Sequence, residues 1–163
     1  MIIFIKNLKI IKMNSTFDIT RTSRKIISQI LQNYTLDQLN KIPEGFNNNI
    51  IWNIGHIIVV QQMLTYNLSG LPMMISNEMV EKYKKGTKPE HIVQQDELNE
   101  MQRLLVETID KTEADFIAKT FNDFQEYPTS TGFVIKTVYE AMDFNYFHEG
   151  LHIGIMMSIR KFI

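Results

Sequence analysis

Two histidines stand four residues apart in the segment HEGLH at 148–152, which matches the pattern H-E-x-x-H. On a helix this spacing places both imidazoles on one face, one turn apart, where they can bind a single ion. In zinc proteases the glutamate of the pattern is the general base, and a third ligand follows further along the chain. The segment therefore predicts a metal site, and the third ligand decides which kind of site it is.

The residues after His152 do not supply the third ligand of a zinc protease. The remaining stretch, IGIMMSIRKFI, contains no histidine, aspartate or glutamate. Ile155 and Ser158 stand where the longer protease pattern has glycine and histidine. The chain also shows no strand-rich region that could hold an extended peptide. The sequence therefore argues against a zincin protease.

A third histidine, His56, lies at the centre of the apolar segment IIWNIGHIIVV. A buried imidazole must be hydrogen-bonded or metal-bound, because an unsatisfied one costs about 1–3 kcal/mol. If two helices face each other, His56, His148 and His152 form a three-imidazole site with an open fourth position. Such ligands do not fix the identity of the metal. His91 lies in a polar connection, and we predict that it is solvated.

Several side chains near these histidines have two interpretations. Glu149 is either a general base at the metal or a glutamate used in helix packing. Asn53 and Asn145 each precede a histidine by three residues, so each lies on the same helix face as that histidine. Either asparagine could orient a ligand, touch a substrate or be a hydrogen-bonded polar residue of the core.

Small and aromatic residues also flank the histidines. We predict that Trp52, four residues before His56, packs in the core. Gly55, Gly150 and Gly154 each destabilise a helix interior by about 1 kcal/mol relative to alanine. They therefore indicate either a close helix contact or open space beside a metal.

Hydrophobic periodicity and capping residues predict an all-α protein with four main helices. Asp96 is the predicted N-cap of the third helix, and Thr137 with Glu140 forms a predicted capping box for the fourth. The four helices are predicted at 15–33, 49–68, 96–119 and from 137 to the C terminus. Long connections join helices two, three and four, which is compatible with a four-helix bundle.

Shorter elements occupy the connections. Thr35 and Gln38 form a predicted capping box for a short helix that ends before Pro43. A second short helix is predicted near 76–85, and a hairpin around Ser130–Gly132.

The bulk composition limits the cellular context. The 163 residues suit one domain over 14–163, preceded by a leader at 1–13 that we interpret as non-native or misassigned, with Met13 as the true start. The net charge of −1 and the lack of a basic stripe argue against nucleic acid as a partner. The leader is too short and too charged to span a membrane, and the chain has no cysteine. We expect a cytoplasmic protein.

The pair of motifs WNIGHI and FHEGLHIG resembles the DinB family of metal-binding four-helix bundles. The resemblance covers residues 15–163, and PEGFNNNIIWNIGHI, GTKPE and TSTG resemble one subgroup. It implies one divalent ion (zinc, nickel, iron or manganese) held by His56, His148 and His152, and it implies a homodimer. Relatives include thiol S-transferases that use bacillithiol or mycothiol, and a thiol-dependent maleylpyruvate isomerase. A low-molecular-weight thiol is therefore an expected cosubstrate.

Three hypotheses about function follow. The first is a metal-dependent enzyme such as a thiol S-transferase, acting on a small-molecule substrate. The second is a metal-dependent hydrolase that activates water, with Glu149 as its base. The third is a bundle without enzymatic activity that binds a ligand or partner, in which the histidines are structural.

Overall fold

The computed structural model describes the backbone of residues 2–163 and the side chains of residues 15–163. Within this part of the chain the elements are, in order, α1 (Ile2–Asn33), α2 (Leu36–Asn40), α3 (Ile50–Thr65), a 3-10 helix (Asn67–Ser69), α4 (Asn77–Tyr83), α5 (Gln95–Ile117), β1 (Tyr127–Pro128), β2 (Val134–Ile135) and α6 (Val138–Ile159). The predicted all-α fold class is confirmed.

The four long helices α1, α3, α5 and α6 form a bundle. Helix α3 packs against α4, α5 and α6, while α1 packs against α5 and α6. Fourteen of the sixteen residues of α3 are buried, because its sequence is apolar on every side. This helix is therefore surrounded by the rest of the bundle, and any polar side chain at its centre must find partners inside the protein.

Most of the predicted helix starts are confirmed by their caps. The Thr35 side chain accepts from the backbone N–H of Gln38, and the Gln38 side chain accepts from the backbone N–H of Thr35. The Asn49 side chain caps α3 by accepting from the N–H of Trp52 at 2.8 Å. These side chains satisfy N–H groups that the first turn of a helix leaves free.

Two capping predictions were wrong. Gln94, which is extended, precedes α5, and its side chain makes no cap hydrogen bond. Asp96 lies inside the first turn, where its negative charge still interacts favourably with the helix dipole. Thr137 does cap α6. The Glu140 carboxylate, however, accepts from the N–H of Lys136 rather than from the N–H of Thr137, so the capping box is not formed.

Two predicted boundaries also differ from the structure. Helix α1 begins at Ile2, well before the predicted position 15, because the helical backbone continues into the N-terminal segment. The interpretation of residues 1–13 as a non-native or misassigned leader stays a prediction, because their side chains lie outside the described part of the chain. Helix α3 ends at Thr65 rather than Leu68, and the chain tightens into the 3-10 helix before Gly70 turns it with φ +67°.

The long connections place two small elements beside the bundle. Helix α4 confirms the short helix predicted near 76–85. Strands β1 and β2 pair antiparallel, with Tyr127 opposite Ile135, around the predicted turn. No helix in the described part of the chain combines the length and the apolar character needed to cross a membrane.

Candidate metal centre

The structure brings His56, His148 and His152 together between the central helix and the last helix. His56 comes from the middle of α3, and the other two come from adjacent turns of α6. One ring nitrogen from each histidine lies within 4.8 Å of the corresponding nitrogens of the other two. This buried cluster can hold a metal ion. His91 lies elsewhere, with Nε2 3.2 Å from Glu97 Oε2.

The orientation of His56 follows from two neighbours. Its Nδ1 lies 2.6 Å from the carbonyl oxygen of Tyr83 at the end of α4. A carbonyl only accepts, so Nδ1 carries the proton and Nε2 keeps its lone pair. The Trp52 ring stacks on the imidazole with 4.8 Å between ring centroids and an angle of 13° between planes. The predicted core residue Trp52 therefore also holds a candidate ligand flat.

His152 is oriented by Asn53. The Asn53 amide nitrogen donates to Asn48 Oδ1 at 3.0 Å and to the carbonyl of Asn49 at 2.7 Å. Its oxygen therefore faces His152, where it accepts from Nδ1 at 2.7 Å. This bond leaves the lone pair of His152 on Nε2, so Asn53 orients the imidazole of a candidate ligand.

His148 differs from the other two histidines. Its Nε2 lies 3.1 Å from Nε2 of His152, and its buried Nδ1 has no hydrogen-bond partner among the described residues. Two nitrogens bound to one tetrahedral zinc ion are expected about 3.3 Å apart. The converging pair of Nε2 atoms thus fits a shared cation, with the His148 proton then placed on Nδ1.

The environment keeps all three imidazoles uncharged at neutral pH. Burial, together with the nearby His152 and His56, lowers the pKa of His148 to about 3. Burial and the nearby His56 lower the pKa of His152 to about 4. Burial also lowers the pKa of His56. A metal can therefore bind these nitrogens without first displacing protons from them.

Comparison with known proteins identifies the family of this chain. The family model of the DinB superfamily matches residues 19–156, a range that includes His56, His148 and His152. The chain belongs to the DinB superfamily. No curated protein matches the chain in a sequence search.

In this DinB-superfamily protein, Glu149 points away from solvent into the bundle. Its Oε2 accepts from Arg24 Nε at 2.9 Å, and its Oε1 accepts from Arg24 Nη2 at 2.7 Å and from Asn145 at 2.8 Å. The Glu149 side chain is fully buried and that of Arg24 is 3% exposed. This geometry favours the packing interpretation of Glu149 over the general base, and it occupies the Asn145 amide nitrogen as well.

The three glycines have different roles. A Cβ at Gly55 would lie 2.6 Å from the Tyr83 ring, so glycine allows α4 to approach α3 closely. A Cβ at Gly150 or Gly154 would have no neighbouring atom within 4 Å. Only Gly55 therefore supports the close-contact interpretation. Through this contact it also places the Tyr83 carbonyl against His56.

A cleft of about 360 Å³ leads to the histidines from outside. Its walls come from α3, α6, the hairpin and the segment after α4. The lining residues are His56, Val60, Met63, Leu64, Asn67, Leu68, Lys85, Tyr127, Thr129, Ser130, Thr131, Phe144, Phe147, His148 and Leu151. The volume suits a small molecule.

The sequence did not point to three residues of this region, Arg24, Tyr83 and Lys85. The sequence places Arg24 in the first predicted helix and Tyr83 and Lys85 in the short helix predicted near 76–85, and it assigns none of them a role. Two of them act on residues far along the chain: Arg24 pairs with Glu149, and Tyr83 contacts His56, whereas Lys85 lines the cleft. The one local signal was Gly55 inside an apolar helix, which indicated a close neighbour without naming it.

Proposed function

We propose that this protein is a metal-dependent enzyme that acts on a small molecule in the cleft, with thiol S-transfer as its reaction. The observation that supports this most is the position of the three histidines, whose nitrogens lie within 4.8 Å of one another and two of which, His56 and His148, line the cleft. Three imidazoles leave at least one coordination position for a substrate, as catalytic zinc sites do.

His56, His148 and His152 would hold the ion through their Nε2 atoms. A bound divalent cation favours the ionised form of a thiol and so supplies a nucleophile near neutral pH. With substrates bound, the apolar walls would shield the sulfur and the electrophile from water, while Tyr83 and Asn53 would keep two of the ligands oriented. The sulfur bonds to the electrophilic carbon, the leaving group departs with its electron pair, and the thiol proton passes to solvent.

Metal analysis is the first test of this proposal. Protein without a tag, expressed without added metal, is expected to contain about one divalent ion per chain. His56→Ala should lose most of that ion, because two imidazoles bind far more weakly than three. His91→Ala is the matched control, since His91 lies outside the cluster, and it should keep full occupancy.

Full occupancy in His56→Ala would contradict the three-histidine site. An absence of metal in the unmodified protein, even after reconstitution, would favour a bundle without enzymatic activity that binds a ligand or partner.

A transfer assay tests the reaction itself. Metal-loaded protein is mixed with an aryl chloride electrophile and, in turn, with bacillithiol, mycothiol, glutathione and cysteine. We expect at least one thiol to react faster than in buffer, and we expect His56→Ala to remove that gain. If no thiol exceeds the buffer rate in fully loaded protein, the transferase proposal is wrong.

A further inference from the structure

The cleft has one cationic side chain among its lining residues. Lys85 is the only lysine or arginine there, and no aspartate or glutamate lines the cleft. The local charge of the cleft is therefore positive, although the whole chain has a net charge of −1.

Lys85 differs from its neighbours because its charge is not neutralised. Lys82 pairs with Glu78 and Glu97, and Lys84 pairs with Glu81. Lys85 makes no ion pair within the described part of the chain. It follows Tyr83 by two residues, a reach of at most about 7 Å. Because the Tyr83 carbonyl contacts His56, the backbone of Lys85 lies near the histidines, and its side chain lines the cleft.

Two further polar side chains in the cleft, those of Ser130 and Asn67, are free to bind a ligand. Thr129 and Thr131 bond to each other at 2.8 Å, and Thr129 also donates to the carbonyl of Phe133. The side chains of Ser130 and Asn67, by contrast, make no hydrogen bond to any described residue. The cleft thus offers an ammonium group, a hydroxyl and an amide as donors to an anionic group.

The rest of the lining is apolar and aromatic. Phe147 and Leu151 on α6 are 48% and 51% exposed, although each is large and apolar. Phe144 stacks on Phe133 of the hairpin, with 6.1 Å between ring centroids and planes 3° apart. These side chains form a surface that a flat apolar ligand would remove from water.

We infer that the cleft binds an aryl carboxylate: the aromatic body lies against Phe144, Phe147 and Leu151, and the carboxylate is held by Lys85. This inference deepens the proposed function, because it takes the cleft as the substrate site of that function. Lys85 then determines specificity for an anionic substrate, while the histidines carry the reacting centre.

Two probes with the same ring and different charge test this inference. 1-Naphthylacetate carries a carboxylate, and 1-naphthylacetamide is its uncharged amide. Titration calorimetry on the protein as purified should show tighter binding of the carboxylate. Lys85→Gln should weaken binding of the carboxylate about fivefold, as expected for a charge-assisted hydrogen bond at a partly exposed site, and should leave the amide within about twofold. Lys85→Arg should restore the preference.

Lys88→Gln is the matched control, because Lys88 is an exposed lysine of the same segment that does not line the cleft. It should leave both probes unchanged. Equal affinity of the two probes, an equal loss in the two lysine variants, or no binding of either probe would overturn the inference. The readout needs no turnover, and metal content is measured on the same samples. A charge preference without metal would reject the proposed enzyme and keep the binding site.

Discussion

Beside the cleft, the Asn53 amide decides which nitrogen of His152 carries a proton. Its nitrogen is committed to Asn48 and to the backbone of Asn49, so its oxygen has only one available orientation. That oxygen holds the proton of His152 on Nδ1 and directs the Nε2 lone pair toward His148. An orienting group of this kind typically changes metal affinity without being a ligand.

We therefore expect Asn53→Ala to weaken metal binding by about 10–100-fold, the usual effect of losing an orienting partner. The three ligands remain, so saturating metal should still give the same stoichiometry. Competition with a chelator of known affinity measures the change.

Asn99→Ala is the control, because Asn99 is an exposed asparagine of α5. If Asn53→Ala lowers the melting temperature while metal affinity stays equal to the control, Asn53 is a core group without an orienting role.

At the scale of elements, the close contact between α3 and α4 depends on Gly55, which has no side chain. The Tyr83 ring occupies the space above Gly55, and its hydroxyl donates to Glu97 on α5 at 2.7 Å. Tyr83 therefore fixes helix α4 through two contacts, its ring against α3 and its hydroxyl against α5. The last carbonyl of α4 is held in turn against His56.

Gly55→Ala should lower the free energy of unfolding by about 1–3 kcal/mol, because the new methyl group forces the buried ring to move. It should also weaken metal binding, since a displaced Tyr83 carbonyl no longer supports His56. Urea denaturation and chelator competition on the same variant measure the two effects.

Gly150→Ala is the matched control in a helix interior without neighbours. It should raise stability by up to about 1 kcal/mol, through helix propensity alone. Equal effects of the two substitutions would show that the Gly55 contact is not tight.

The sequence predicts these elements well where the signal is local. The Thr35 and Gln38 pair lies within one turn and predicts the cap of α2 correctly. Asp96 misled the prediction because an acidic residue favours the first turn of a helix as well as its N-cap, and the two positions look alike in sequence. Tyr83 was not predicted as a support for His56, because only the folded position of α4 brings its carbonyl there.

At the scale of the whole molecule, one buried ion pair joins the first and last helices. Arg24 and Glu149 are 125 positions apart, and both are almost fully buried. The Arg24 Nη1 also lies 3.4 Å from the carbonyl of Leu105 on α5, so the pair reaches a third helix. No local pattern could have assigned this partner to Glu149, whereas the helical spacing of His148 and His152 was readable directly.

Removing one partner of this pair should be costly. Glu149→Gln keeps the shape of the side chain but leaves the Arg24 charge buried without compensation, and it should reduce stability by about 3–5 kcal/mol. Metal content should stay at the level of the unmodified protein, because Glu149 is not among the ligands. Urea denaturation gives the first quantity and elemental analysis the second.

The double variant Arg24→Met with Glu149→Leu is the matched comparison. It removes both charges, so it should be more stable than either single substitution. If Glu149→Gln stays well folded but loses its metal, Glu149 is instead part of the metal site.

The stacked pair of Trp52 and His56 has an optical consequence. Trp52 is the single tryptophan of the chain, and its ring lies flat on a candidate ligand. An indole in contact with an imidazole changes its emission when that imidazole takes up a cation, because the excited state is sensitive to charge next to the ring. All the tryptophan fluorescence of this protein thus originates beside the three histidines. The chain carries its own unlabelled reporter for the arrival and departure of an ion.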